Sequence, residues 1–208
     1  MADSPRTVPF RSLGLDDRIF KAIQEAGYTE PTPIQSAAIP EILAGRDVIG
    51  IAQTGTGKTA AFVLPILTKL ASAPNDGKRR GMRALIVAPT RELVVQIEEN
   101  VRAYAKHLPL RMATVYGGVS ERPQIAALRA GVELVFSPPG RLIYLMEQRQ
   151  TNFSNVEFLV LDEADRMLDM GFLPPIRPIV RALPKRRQTL LFAAALSGEL
   201  EGPTQGVP

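Results

Sequence analysis

The sequence predicts an α/β fold with three layers, in which a mostly parallel sheet carries helices on both faces. Apolar, β-rich segments alternate along the chain with helical patterns and short connections, as expected for parallel strands joined by crossover helices. Most of the apolar segments are continuous rather than alternating, which indicates strands covered on both faces. The 208 residues are enough for one such domain with a sizeable core.

In chain order, apolar β-rich runs predict strands at residues 48–52, 84–88, 112–116, 134–136, 158–161 and 189–193. Helical patterns lie at residues 16–26, 34–43, 58–71, 91–106, 120–129, 140–148 and 176–182. Turn residues over 73–81 predict a polar turn, which we expect to be the most mobile loop. Repeated Gly and Pro over 197–208 would break a helix, so we expect a disordered tail there.

The composition, 45% hydrophobic and 22% charged, is typical of a soluble globular protein. The absence of Cys excludes disulfides and thiolate metal sites, and the single His107 excludes a zinc site built from histidines. Neither a signal peptide nor a membrane-spanning run is found, so we expect a cytoplasmic protein with no membrane partner. A net charge of +4 permits a polyanionic partner, although basic clusters at 78–83 and 185–187 are interpreted as solvated loops.

Residues 47–64, DVIGIAQTGTGKTAAFVL, have the strand-loop-helix pattern of a phosphate-binding loop. Glycines allow backbone N–H groups to point inward, and the helix N-terminus adds positive potential. Lys58 is placed to reach the β- and γ-phosphates of a nucleotide, and the Thr59 hydroxyl to hold Mg²⁺. The predicted loop consists of Ala52, Gln53, Thr54, Gly55, Thr56, Gly57, Lys58 and Thr59. Because Ala52 replaces the usual first glycine, a glycine-rich turn with a chance lysine remains the alternative.

A second candidate motif follows the predicted strand at 158–161, where the chain reads Asp162-Glu163-Ala164-Asp165. In a parallel sheet this strand end opens onto the ligand crevice beside the phosphate loop. Asp162 is then placed to hold Mg²⁺, and Glu163 to orient or deprotonate an attacking water. The alternative is a helix N-terminus that merely favours acidic residues.

The two motifs together resemble the DEAD-box family of ATP-dependent RNA helicases, whose name the tetrad at 162–165 spells. Other segments follow in the family's order over residues 10–196. Phe10, Gly27, Tyr28 and the PTPIQ segment at 31–35 resemble its adenine-reading segment. The resemblance implies an N-terminal RecA-like P-loop NTPase domain over residues 1–196, with the adenine-reading segment at about 10–35, and ATP and Mg²⁺ as cofactors.

The resemblance also implies roles for individual residues. Lys58, Asp162 and Glu163 would be catalytic, whereas Phe10, Tyr28, Thr32 and Gln35 would bind the nucleotide with the phosphate loop. The Gln35 amide can donate to and accept from an adenine edge, and Tyr28 can stack on the base. Ordinary core packing is the alternative for Tyr28, and a helix-surface amide is the alternative for Gln35.

The family's RNA contacts map onto a third set of residues. They would bind the sugar-phosphate backbone and would not read the base sequence. The matching residues are Pro89, Thr90, Arg91, Gly117, Gly118, Gly140 and Arg141. A guanidinium at a helix N-terminus suits a phosphate, but Arg91 could be an ordinary charged residue of a first helical turn. A phosphate is the favoured partner of Arg141 and a local carboxylate is the alternative, whereas Gly118 could equally serve only as a turn.

The sequence departs from the family pattern at three places. The family usually has Ser-Ala-Thr at 193–195, whose hydroxyls contact the last carboxylate of the tetrad; here Ala193 and Ala195 lack them. Asp165 would thus lose partners worth about 1 kcal/mol each if buried. We therefore expect nucleotide binding to survive while the coupling of hydrolysis to unwinding is impaired. Pro138 replaces a usual Thr, and Pro175 and Pro178 lie in a predicted helix.

The family's ATPase needs a second RecA-like domain, which supplies arginines to the γ-phosphate, and nothing after residue 196 could form one. The chain alone is therefore expected to bind adenine nucleotide with little or no hydrolysis, since an arginine finger is worth about 10³–10⁵ in rate. The alternatives are a nucleotide- or RNA-binding module with lost coupling, a DNA-directed superfamily 2 helicase, and a scaffold without nucleotide.

Overall fold

The computed structural model describes residues 9–73 and 81–195. They form a six-stranded sheet in the order β1-β6-β5-β2-β4-β3. The strands are β1 (Val48–Ile51), β2 (Ala84–Val87), β3 (Met112–Thr114), β4 (Leu134–Ser137), β5 (Phe158–Leu161) and β6 (Gln188–Ala193). Every pairing in this sheet is parallel, which confirms the predicted sheet.

The helices that the structure describes lie close to the predicted ones. They are a 3₁₀ helix (Phe10–Leu13), α1 (Asp17–Glu25), α2 (Pro33–Leu43), α3 (Lys58–Ser72), α4 (Arg91–Tyr104), α5 (Arg122–Ala130), α6 (Pro139–Glu147), α7 (Ala164–Asp169) and α8 (Leu173–Ala182). The sequence analysis missed the 3₁₀ helix and α7, both of which are too short for a periodic apolar pattern. The predicted tail at 197–208, and most of the predicted loop at 73–81, lie outside the described residues.

Helix α8 begins earlier than predicted, at Leu173. Pro174 and Pro175 fall in its first turn, where a missing N–H costs no helical hydrogen bond, whereas Pro178 lies inside the helix. No helix in the ranges 9–73 and 81–195 is both long enough and apolar enough to cross a membrane.

The apolar core lies on both faces of the sheet. Ile86 and Val160 point into a cluster with α1, α2, α3 and α4, while Leu85 and Leu159 point into a second cluster with α5, α6, α7 and α8. Successive strand residues are thus buried on opposite faces, which explains why the strands read as continuous apolar runs. The three-layer prediction is therefore confirmed.

Buried polar groups hold the amino ends of the strands together. The Arg83 side chain is 3% exposed, and its Nε donates to Glu157 Oε1 at 2.6 Å. Its Nη1 also donates to the carbonyl oxygen of Ala73 at 2.8 Å. The interpretation of residues 78–83 as a solvated basic loop is therefore wrong for Arg83, because this residue fastens β2 to the segment that enters β5.

Candidate functional site

The phosphate loop, the acidic segment and the predicted RNA contacts lie at one edge of the sheet. Because all six strands are parallel, their carboxyl ends meet at this edge. Strand β1 leads into the phosphate loop, β5 into Asp162, and β6, which lies between them, into Ala194. The predicted RNA contacts follow β2, β3 and β4 on the other half of the sheet. The strand order thus divides the edge into two halves. The phosphate half follows β1, β6 and β5, and the second half follows β2, β4 and β3.

The phosphate loop depends on two left-handed glycines. Gly55 has φ 84° and Gly57, the N-cap of α3, has φ 87°. Both values disfavour any residue with a side chain. A Cβ atom added at Gly57 would lie 2.4 Å from Gln35 Nε2, whereas one at Gly55 would meet nothing within 4 Å. The backbone at Gly57 is therefore packed closely against α2, and the loop at Gly55 is open.

Two buried charged groups lie near one another on this half of the edge, although no ion pair within 4.0 Å joins them among the described residues. Lys58 is 7% exposed, and its Nζ is buried without a hydrogen-bond partner among the described residues. Asp162 is 5% exposed. Burial raises the pKa of Asp162 to about 6, and the nearby positive charge of Lys58 offsets part of this rise. The Lys58 ammonium lacks an acceptor that a phosphate oxygen could supply, and the Asp162 carboxylate could bind a metal ion that accompanies the phosphate.

The chain turns sharply after β5. Asp162 N continues the ladder by donating to Val87 O at 2.9 Å, and Asp162 Oδ1 accepts from Glu163 N at 3.0 Å. Glu163 has φ 52° and ψ 48°, a left-handed conformation that costs a non-glycine residue about 1 kcal/mol. Its carboxylate pairs with Arg166 Nη1 at 3.2 Å. No sequence pattern signals this turn, which starts α7 immediately beyond Glu163.

Gln35 is an internal link and not a surface amide. It is 1% exposed; its Oε1 accepts from Thr32 N at 2.9 Å, and its Nε2 donates to Gly57 O at 3.1 Å. The first bond caps α2 and the second fastens this helix to the phosphate loop. A primary amide carries two donor hydrogens and two acceptor lone pairs, so one of each remains for a ligand.

Phe10 and Tyr28, the predicted aromatic residues of the adenine-reading segment, pack in the first core cluster. Phe10 is 2% exposed and meets Tyr28 edge-on, with ring centroids 6.3 Å apart. The Tyr28 and Tyr104 hydroxyls form a hydrogen bond of 2.6 Å. Burial raises the pKa of Tyr104, so this hydroxyl stays protonated. The contacts of Tyr28 are thus those of a residue packed in the core, which was the alternative interpretation. Phe10, Tyr28 and Tyr104 together connect the adenine-reading segment to α4.

The predicted RNA-contacting segments meet on the second half of the edge. The Arg91 guanidinium lies over the Tyr116 ring, 4.4 Å from its centroid. Arg141 Nη2 donates to Val119 O at 3.2 Å, and its Nη1 lies 3.7 Å from Glu121 Oε2. Arg141 therefore interacts with a local carboxylate, one of the two alternatives that the sequence left open.

The glycines of these segments border open space. A Cβ added at Gly117, Gly118 or Gly140 would meet nothing within 4 Å, and Gly118 has φ 81°. A polyanion backbone could therefore approach the protein main chain closely along this side.

Asp165 keeps two donors despite the alanines at 193 and 195. Its Oδ2 accepts from Ala194 N at 2.9 Å and from Ala195 N at 3.3 Å. The two hydroxyl partners typical of the family are absent, as the sequence indicates, but Asp165 is not left without donors because two backbone N–H groups reach it. Ala193 O in turn accepts from Ala52 N at 3.0 Å. These bonds connect the acidic segment to the start of the phosphate loop.

The protein supplies few metal ligands by itself. In the part of the chain that the structure describes, no group of three or more His, Cys, Asp or Glu residues could hold a metal ion. A cation bound near Thr59 and Asp162 would therefore need oxygen ligands from phosphate or water, which is how Mg²⁺ is bound in nucleotide sites.

Comparison with known proteins gives a consistent result. Residues 32–201 match the family model described as DEAD/DEAH box helicase. The chain is 50% identical over 192 residues to DEAD-box ATP-dependent RNA helicase 30 of Arabidopsis thaliana, covering 92% of this chain and 32% of that protein. It is 46% identical over 200 residues to DEAD-box ATP-dependent RNA helicase 20 of the same plant, covering 96% of this chain and 40% of the relative.

A solved structure is also similar. The crystal structure of a DEAD box protein from the hyperthermophile Methanococcus jannaschii matches with a TM-score of 0.89 and 34% sequence identity. The match covers 96% of this chain and 53% of that one. The chain therefore spans about a third to two fifths of these plant relatives and about half of the archaeal protein.

Proposed function

This chain belongs to the DEAD/DEAH box helicase family, and from that premise we propose that it is the ATP- and RNA-binding half of an ATP-dependent RNA helicase. As an N-terminal RecA-like domain, it would contribute the phosphate loop and the acidic segment to a larger enzyme that hydrolyses ATP to separate RNA strands. The observation that carries the proposal is the buried Lys58 ammonium beside the buried Asp162 carboxylate.

The residues present fit a nucleotide with its metal. Lys58 Nζ lacks an acceptor that phosphate oxygens would supply, and Gly57 has space only for hydrogen. Thr59 and Asp162 would hold Mg²⁺, which neutralises phosphate charge when bound. Glu163 would orient the attacking water or accept its proton. Gln35 would read the adenine edge with its remaining donor and acceptor.

RNA would bind along the second half of the sheet edge. Arg91 and Arg141 would contact phosphates, and the open glycines at 117, 118 and 140 would allow the RNA backbone to approach. When RNA binds, Arg141 would give up its contact with Glu121 and contact an RNA phosphate instead. Pro89 and Thr90 complete this surface, whose contacts would favour no particular base sequence.

Efficient hydrolysis would require a second RecA-like domain. We assign residues 1–196 to the first domain and 197–208 to a tail, and the greater length of the relatives supports a partner domain in the working enzyme. Without its arginines the chain should bind nucleotide and turn it over slowly or not at all.

Impaired coupling is a second candidate function, in which the chain binds nucleotide and RNA without driving unwinding. The hydroxyls that family members usually place at 193 and 195 are absent, although Asp165 keeps backbone donors. Introducing Ala193→Ser and Ala195→Thr in a protein with both domains distinguishes the candidates. Faster unwinding per ATP hydrolysed supports lost coupling, and unchanged unwinding contradicts it.

Calorimetric titration with ADP, AMP and GDP tests the proposed function in the chain itself. ADP should bind measurably, AMP more weakly because it lacks the β-phosphate, and GDP much more weakly because its base edge mismatches Gln35. Equal affinity for ADP and GDP would contradict adenine selection, and no binding of ADP would contradict the nucleotide site.

A further inference from the structure

A cavity lies at the opposite edge of the sheet, beside the amino ends of β2 and β4. It has a volume of about 310 Å³. Met82, Leu128 and Val132 supply apolar walls, and the last turn of α5 and the segment just after α6 supply polar ones. Because the nucleotide site occupies the carboxyl edge, this cavity belongs to a different part of the molecule.

The described side chains that line the cavity give it a positive charge. Arg129 and Arg149 line it, and none of the described residues that line it is acidic. The C-terminal ends of α5 and α6 contribute about half a negative charge each, so two guanidiniums exceed the helix dipoles by about one positive charge. Favourable interaction of the two arginines with the helix C-termini therefore accounts for only part of the positive charge at the cavity.

The two guanidiniums are held differently. Arg129 Nη2 donates to Gln150 Oε1 at 2.7 Å, which fixes its plane and leaves its other N–H groups for a ligand. The Arg149 side chain forms no hydrogen bond or ion pair with any residue that the structure describes. One arginine is thus oriented by a hydrogen bond, and the other has no such contact with the residues at 9–73 and 81–195.

Arg149 occupies a position that normally favours glycine. It has φ 53°; its N–H donates to Met146 O at 2.9 Å, and the N–H of Gln150 donates to Leu145 O at 2.8 Å. This pair of bonds is the Schellman ending of a helix, in which the left-handed residue is usually Gly or Asn. The backbone conformation at position 149 would favour Gly or Asn, so it does not explain why an arginine is present.

A buried hydroxyl adds a third polar group. Thr151 lines the same cavity, and its Oγ1 is buried without a partner among the described residues. A buried hydroxyl is usually hydrogen-bonded, and it can donate to an anion as readily as it accepts from a donor.

From these contacts we propose that the cavity binds a phosphomonoester with a small organic group. Arg129 and Arg149 bind the phosphate, the Thr151 hydroxyl donates to it, and the organic part packs on Met82, Leu128 and Val132. The pairing of guanidinium forks with a phosphate is a common and strong interaction. The volume of the cavity exceeds that of a bare phosphate, which favours an ester over the free ion.

Titration of the isotope-labelled chain with phenyl phosphate, followed by NMR of the backbone amides, tests the proposal. Saturable shifts are expected at Gly131, Thr151 and Asn152, and these signals are distinct from those of the phosphate loop at Gly55 and Gly57. Inorganic phosphate should shift the same cavity signals with lower affinity because it lacks the apolar group.

Arg149→Gly is the decisive variant because glycine suits the left-handed position, so the fold should remain at least as stable. Its affinity for phenyl phosphate at the cavity should fall about tenfold or more. Arg186→Gln, at an exposed arginine outside the cavity, is the matched control and should bind normally. Shifts confined to the phosphate loop, or cavity shifts that persist unchanged in Arg149→Gly, would overturn the proposal.

Discussion

Gln35 Nε2 donates to the carbonyl oxygen of Gly57 at 3.1 Å, so the side chain predicted to select the base also supports the loop predicted to bind the phosphates. Gln35 is almost fully buried, and its Oε1 also accepts from Thr32 N, so both ends of the amide are held. Base selection and loop geometry are therefore expected to respond together when either residue is changed.

Gly57→Ala should destabilise the protein more than Gly55→Ala. Both substitutions place a side chain at positive φ, which costs about 1 kcal/mol, but only the Cβ at Gly57 would lie 2.4 Å from Gln35 Nε2. Displacing that amide should cost about 1 kcal/mol more. Urea unfolding of the two variants measures the difference, and equal stability would show that the Gln35 contact is energetically unimportant.

Asp162→Asn should stabilise the protein at neutral pH. Because the pKa of Asp162 is raised to about 6 on folding, the native state binds its proton more tightly than the unfolded state does. The free energy of unfolding therefore falls as the pH rises from about 4 through about 6, and an amide avoids this loss. The expected gain at pH 7.5 is about 1–3 kcal/mol, shrinking toward pH 4.5.

Urea unfolding between pH 4.5 and 8 measures this effect. Asp169→Asn, at an exposed carboxylate in the same segment, provides the control and should change stability little at any pH. A stability difference between Asp162→Asn and the unmodified chain that grows as the pH falls would have the wrong sign for a raised pKa.

The sequence was sufficient to predict most of the sheet because its strands are buried on both faces and read as apolar runs. It could not predict the turn at Glu163, since a left-handed glutamate follows from tertiary packing, in which α7 buries Met167 in the second core cluster, and not from local propensity. Nor could it show that Gln35 is turned inward, because that contact joins residues far apart in the chain.

Asp165→Ala should release the segment after β6. The substitution removes the acceptor for Ala194 N and Ala195 N, so hydrogen exchange at these two amides should accelerate about tenfold, with a loss of about 1 kcal/mol in stability. Asp169→Ala is the matched control on the same helix. Unchanged exchange at residues 194 and 195 would mean that these hydrogen bonds do not hold the segment.

Glu157→Gln should destabilise the amino edge of the sheet. The Arg83 guanidinium is buried, and loss of its charged partner leaves a cation compensated mainly by carbonyl groups. Because the Glu157 side chain is 36% exposed, the expected cost is about 1–3 kcal/mol, less than for a fully buried pair. Glu147→Gln, at an exposed glutamate, is the control, and equal stability of the two variants would contradict a structural role for this ion pair.

Arg83 also illustrates a general difficulty in reading charge from sequence. It lies at the end of a basic run, and only the three-dimensional pairing with Glu157 distinguishes it from a solvated arginine. Asp162 and Asp165 were identified from the sequence of the acidic segment. The structure was needed to show that Asp162 is buried within the influence of the Lys58 charge and that Asp165 accepts from two backbone amides.

The central claim is that Lys58 and Asp162 serve one nucleotide with its metal ion. Calorimetric titration with a non-hydrolysable ATP analogue, with Mg²⁺ and with a chelator, tests it in the unmodified chain, Lys58→Ala and Asp162→Asn. Lys58→Ala should bind the analogue at least about tenfold more weakly, and the gain in affinity from Mg²⁺ should disappear in Asp162→Asn. Unchanged affinity in Lys58→Ala, or a full Mg²⁺ effect in Asp162→Asn, would contradict the shared site.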